Sequence, residues 1–111
     1  MKSPAMLLLL CFLAAGNAQS QVWLEGDSDC GEWVTARKEN RSMALEHFAL
    51  GFLNGLSSGT QYEFWRATGA KTSRVAVYLW IDNYCQSNPL DPLVTAVIKL
   101  FDERSGRRLV R

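Results

Sequence analysis

Two cysteines, Cys30 and Cys85, constrain this chain more than any other pair of residues. They are the cysteines that remain once residues 1–18 are set aside. Lys2, the apolar run from Ala5 to Ala15 and the stretch Gly16-Asn17-Ala18 follow the charged, apolar and small-residue order of a secretory signal peptide. Small side chains at Gly16 and Ala18 predict cleavage after Ala18. The apolar run is too short for a stable transmembrane helix, so no stable membrane anchor is expected. Lipoprotein cleavage before Cys11 is disfavoured by bulky Leu10 and by the short apolar stretch upstream of it. The expectation is a periplasmic or secreted protein with a single domain over residues 19–111 and a core over 30–104.

A domain of roughly 90 residues lies below the size at which a core alone confers comfortable stability. An even cysteine count in an oxidising compartment therefore favours a Cys30–Cys85 bridge over free or intermolecular thiols. Closing a loop of that length restricts the unfolded chain by about 4 kcal/mol on the chain-entropy model. A metal site is disfavoured, because His47 is the only histidine and no second cysteine lies two to four residues from either sulfur. No metal and no cofactor are expected.

Loss of Lys2 from the 12 basic residues leaves 11 against 11 acidic ones, mixed along the chain. Nothing in that balance steers the protein to nucleic acid. The one biased segment is the tail from Arg104 to Arg111, read as a solvated, frayed terminus.

The periodicity is helical throughout, with no sustained alternation of period two. Residues 19–29 form an irregular lead-in. Asp29 with Glu32 three residues later resembles a capping pair, predicting a short helix from about Cys30 to Lys38 with Trp33 and Val34 inward. Ser42 is placed to cap the next helix, in which Leu45, Phe48, Ala49, Phe52, Leu53 and Leu56 share one face. Beside its apolar stripe runs a second one of Ala44, Gly51, Gly55 and Gly59, which predicts a neighbouring helix packed closely on the backbone. A weak helix that unravels at Ser57-Ser58-Gly59 is the alternative to close packing along its glycines. Residues 60–72 read as a loop with aromatic anchors. Ser73 caps a helix through about Ser87, with Val77, Ile81, Tyr84 and Cys85 on one face. Asn88-Pro89 and Asp91 then read as the start of a last helix that buries Leu90, Leu93, Val94, Val97, Leu100 and Phe101 and ends at Gly106. Pro92 falls in its first turn. The predicted fold is all-α: a bundle of three main helices and one short N-terminal one, closed by one disulfide.

A catalytic set is missing from this pattern. Serine or cysteine nucleophiles need a positioned base, and His47 lies on the polar side of its helix. The carboxylates Glu63, Asp82, Asp91, Asp102 and Glu103 have little room for a shared cleft in so small a bundle. No glycine-rich phosphate loop is present, since Gly51-Phe52-Leu53-Asn54-Gly55 sits inside a helix and lacks the following lysine. The expectation is a non-enzymatic protein. Asn40-Arg41-Ser42 matches a glycosylation acceptor and is read as chance.

Recognition residues are therefore sought among exposed aromatic and polar groups. Tyr62, Phe64, Trp65 and Arg66 place aromatic and arginine anchors in the 60–72 loop. Asp82 and Asn83, flanked by Trp80, Ile81 and Tyr84, read either as a recognition patch or as the polar end of a helix. Trp33 and Trp80 are assigned to the core. Trp23 and Trp65 serve either as plugs on it or as contact anchors.

The Cys30 helix, the helix carrying Gly51-Phe52-Leu53-Asn54-Gly55, and a helix ending in Cys85 followed by Asn88-Pro89-Leu90 and a final amphipathic helix resemble the small periplasmic Rap/Tai amidase-immunity proteins of type VI secretion. More distantly the chain is similar to the acid-stress chaperones HdeA and HdeB. The first resemblance implies a protein that blocks a cell-wall-degrading toxin. The second implies an acid-activated holdase whose bundle opens when its carboxylates are neutralised, exposing Phe48, Phe52, Leu93 and Val97 to unfolded clients. A further cysteine of the immunity pattern near the C-terminus is lacking here, so a second disulfide is not carried over. Another protein, toxin or unfolded client, is the expected partner, and a homodimer of the chain belongs to the same class of contact.

Overall fold

The computed structural model describes residues 22–106. The expected signal peptide over 1–18 and the tail residues 107–111 lie outside the described residues. Four helices follow one another: α1 (Cys30–Lys38), α2 (Met43–Thr60), α3 (Arg74–Ser87) and α4 (Leu93–Ser105). Among the described residues the only bridge of β type is an isolated antiparallel one between Asp29 and Pro92. The expected all-α bundle of three long helices and a short one is what the chain forms.

Helix α4 is the hub, packing against each of α1, α2 and α3, while α1 also lies along α3. Its buried face is Leu93, Ala96, Val97, Leu100 and Phe101. These close on Trp33 from α1, Ala49 and Leu53 from α2, and Val77, Tyr78, Ile81 and Cys85 from α3. Cys30 and Cys85 are joined at 2.14 Å between sulfurs, tying the first turn of α1 to the last turn of α3.

The starts of α1 and α4 cap each other. The first N–H groups of a helix lack intrahelical acceptors. In α1 they are taken by Asp91 O (from Cys30, 2.8 Å), Pro89 O (from Gly31, 2.9 Å) and the Asp29 carboxylate (from Glu32, 2.7 Å). In α4 the Leu93 N–H goes to Ser28 O at 2.6 Å, and the Val94 N–H goes to Asp27 Oδ1 at 3.1 Å. Gly31 admits this approach, since a Cβ there would lie 3.4 Å from Pro89 O and 3.3 Å from the Asp29 carboxylate. Gly26, at φ +86°, turns the lead-in against the Phe48 ring.

Several expectations are corrected. The last helix starts at Leu93 and not at Asn88. Asn88 instead closes α3, its Nδ2 donating to Tyr84 O at 2.9 Å. Proline disfavours helical backbone in the residue before it, so Pro92 holds Asp91 out of the helix. Leu90 is consequently 93% exposed and no part of the core. Helix α2 does not unravel at Ser57-Ser58-Gly59. It runs to Thr60, whose hydroxyl donates back to Leu56 O, and Gln61 at φ 62° makes the left-handed cap. Ser42 makes no side-chain cap, because its hydroxyl donates to Glu46. Among the described residues no helix covers the glycine stripe: a Cβ on Gly51, Gly55 or Gly59 would meet nothing within 4 Å. Trp80 is half-buried and stacks on Tyr84 with centroids 5.6 Å apart.

Candidate functional site

The 61–73 loop is tied down both by its own backbone and by the bundle. Thr72 N donates to Trp65 O at 2.7 Å and Gly69 N to Arg66 O at 2.9 Å, with Gly69 at φ +89° completing the turn. Glu63 Oε1 accepts from Arg66 N at 3.0 Å. From beneath, Arg104 of α4 donates to the Thr72 hydroxyl at 2.8 Å and to the Thr68 hydroxyl at 3.2 Å.

The four anchors expected in this loop take different positions. Tyr62 is exposed at 47% and Arg66 is exposed. Phe64 is fully buried, edge-on to Trp65 and stacked over Phe101 at 6.4 Å, so it is the plug that seats the loop and not a contact anchor. Trp65 is half-buried, and its indole N–H is fixed by Asn54 Oδ1 of α2 at 2.8 Å. One edge of its ring walls a groove of about 650 Å³ together with Leu50 and Asn54 of α2, Lys71, Thr72, Ser73 and Arg74. Leu50, Asn54, Lys71 and Arg74 were not singled out by sequence pattern. The one signal for them is Arg74, a cation at the first position of a helix, where the helix dipole is unfavourable to it.

Asp82 and Asn83 do not form one patch, and neither lines the groove beside Trp65. Asn83 is exposed. Asp82 Oδ1 accepts the indole N–H of fully buried Trp33 at 2.7 Å and Arg37 Nε at 3.0 Å, while Oδ2 accepts Arg37 Nη2 at 3.0 Å. The guanidinium lies 5.8 Å from the Trp33 ring centroid and 5.5 Å from that of Tyr78. This buttress joins α1 to α3 beside the disulfide. The bond to Asp82 raises the Arg37 pKa above its ordinary value, and burial raises that of the Tyr78 hydroxyl.

A second exposed region lies at the opposite end of α4. Val22, Trp23 and Leu24 of the lead-in line a shallow depression with Leu90, Pro92 and Val94. Trp23 is 91% exposed there. His47 is exposed on α2. Among the described residues no group of three or more metal-ligating side chains converges, and no helix is long and apolar enough to cross a membrane.

Comparison with protein-family models, with curated proteins and with solved structures returns no match to this chain.

Proposed function

We propose that this domain is a non-catalytic binding protein of the periplasmic or secreted space that engages another protein through the face of its 61–73 loop. The observation that carries this reading is the pinning of that loop: Phe64 in the core, Trp65 on Asn54, and Arg104 on Thr68 and Thr72 tie down the backbone that carries exposed Tyr62 and Arg66. A surface ordered before binding loses little conformational freedom on association, and tyrosine and arginine are the side chains that most often dominate such contacts. The disulfide and the signal-like leader support an exported setting. The resemblance to amidase-immunity proteins supports a finer reading, inhibition of a cell-wall-degrading toxin by occlusion, which needs a rigid plug and no catalytic residue.

Affinity capture from an envelope extract, with the domain lacking residues 1–18 as bait, tests the reading. Tyr62→Ala/Arg66→Ala truncates two exposed side chains, and circular dichroism checks that the variant keeps the parent's helical fold. Retention of the captured protein falls about tenfold or more. Equal retention by parent and variant would show that the loop is not the contact face. Inhibition of wall hydrolysis by the captured protein, at one bait per enzyme, tests the immunity role.

A further inference from the structure

The groove beside Trp65 is apolar at its base and cationic at its lip, and among the described residues no carboxylate lines it. Leu50 and Trp65 supply the base, Lys71 and Arg74 the lip. Among the described residues neither Lys71 nor Arg74 has a carboxylate within ion-pair distance, whereas Arg37 and Arg41 each do. Arg74 opens α3 in a turn that contains no acidic residue, so helix dipole and side chain add to the same positive field. Behind the lip Arg104 reaches only threonine hydroxyls, and its Nε is buried with no acceptor among the described residues. Two cations, Lys71 and Arg74, thus line one groove, with Arg104 behind Thr72, in a chain whose acidic and basic residues otherwise nearly balance. A local arrangement that works against its own electrostatics marks a place where something else supplies the missing charge.

Resting on the protein-binding reading above, we propose that this groove receives a carboxylate-bearing apolar segment of the partner. An Asp or Glu side chain of that segment lies between Lys71 and Arg74, and a neighbouring apolar side chain lies on Leu50 and Trp65. Charge complementarity selects the acid, and the apolar base selects its neighbour: a bare anion would leave Leu50 and the Trp65 edge uncovered. The groove is continuous with the pinned loop through Trp65 and Thr72, so one protein segment can cover both.

The Trp65 indole N–H resonance, assigned by its disappearance in Trp65→Phe, reports occupancy. The ¹⁵N-labelled domain is titrated with acetyl-Leu-Glu-Phe-Asp-Leu-amide, with its uncharged counterpart acetyl-Leu-Gln-Phe-Asn-Leu-amide, and with glutarate. The acidic peptide shifts the resonance saturably and binds about tenfold more tightly than the uncharged one, a difference that shrinks at high salt. Lys71→Gln/Arg74→Gln, two exposed positions, reduces the acidic peptide to the level of the uncharged one. Equal affinity for the two peptides, or an unchanged affinity in the double variant, overturns the proposal. Glutarate binding as tightly as the acidic peptide overturns it in favour of a simple anion site. Should the peptides fail while Tyr62→Ala/Arg66→Ala still abolishes capture, the groove assignment falls and the binding function stands.

Discussion

Asp82 accepts three hydrogen bonds, from an indole that is wholly buried and a guanidinium that is mostly covered, and nothing in its immediate sequence announces either. Its partners lie 49 and 45 residues away on another helix. Asp82→Ala strands the Trp33 N–H in the core and leaves Arg37 without a counter-charge, which costs about 2 kcal/mol after allowance for the partial exposure of the ion pair. Asp82→Asn keeps a neutral acceptor for the indole and costs about half as much. Urea unfolding of the three proteins measures both, and partner capture stays unchanged in each, because these atoms face α1. Tyr78 in the same cluster sets the alkaline limit. Its hydroxyl pKa is raised by burial, so the unfolded chain ionises first. The stability it contributes is complete below the unfolded pKa of 10.0 and is lost as pH rises through the folded value. Arg37, also raised by its bond to Asp82, follows the same sign at still higher pH. Tyr78→Phe removes the earlier loss, so denaturant midpoints recorded from pH 8 to 11 fall less steeply in the variant than in the parent.

Helix by helix, the boundaries that rest on local chemistry were legible and those that rest on tertiary neighbours were not. Asp29 and Ser73 cap their helices with the bonds that their types and spacing predict, to Glu32 N and Ala76 N. Ser42 occupies the same position before α2, yet its hydroxyl is drawn to Glu46. Asn88-Pro89 carried the composition of a helix start, but Asn88 was already claimed by the end of α3, and the counter-signal was Pro92 acting on Asp91. In the loop, composition identified the aromatic cluster, while the division into buried Phe64, wedged Trp65 and exposed Tyr62 depends on where α4 puts Phe101 and α2 puts Asn54. At the glycine stripe, four-residue spacing suggests a close neighbour, but α2 turns that edge to solvent. Open space at helical glycines has a direct energetic meaning. Gly51→Ala/Gly55→Ala lowers the backbone freedom of the unfolded chain without a clash and raises stability by about 1 to 2 kcal/mol. Thermal unfolding of the double variant shows the rise; a fall would mean that this edge is covered.

On the scale of the molecule, one covalent tie closes 55 residues of separation and encloses α2, the loop and nearly all of α3. Cys30→Ser/Cys85→Ser releases that constraint and lowers unfolding free energy by about 4 kcal/mol, a large part of what a domain this small holds. Denaturant unfolding of the oxidised parent against the double variant measures the loss, and reductant has no further effect on the variant. The mutual capping of α1 and α4 bears on time as well as energy. The hub helix needs Asp27 and Ser28 to satisfy its first amides, and those residues lie 67 and 65 positions upstream of the groups they receive. A chain made residue by residue from its N-terminus holds that cap long before it has the helix to set on it. The first turn of α4 therefore takes its acceptors from residues made long before it, and a chain cut short of Leu93 leaves Asp27 and Ser28 without these two donors.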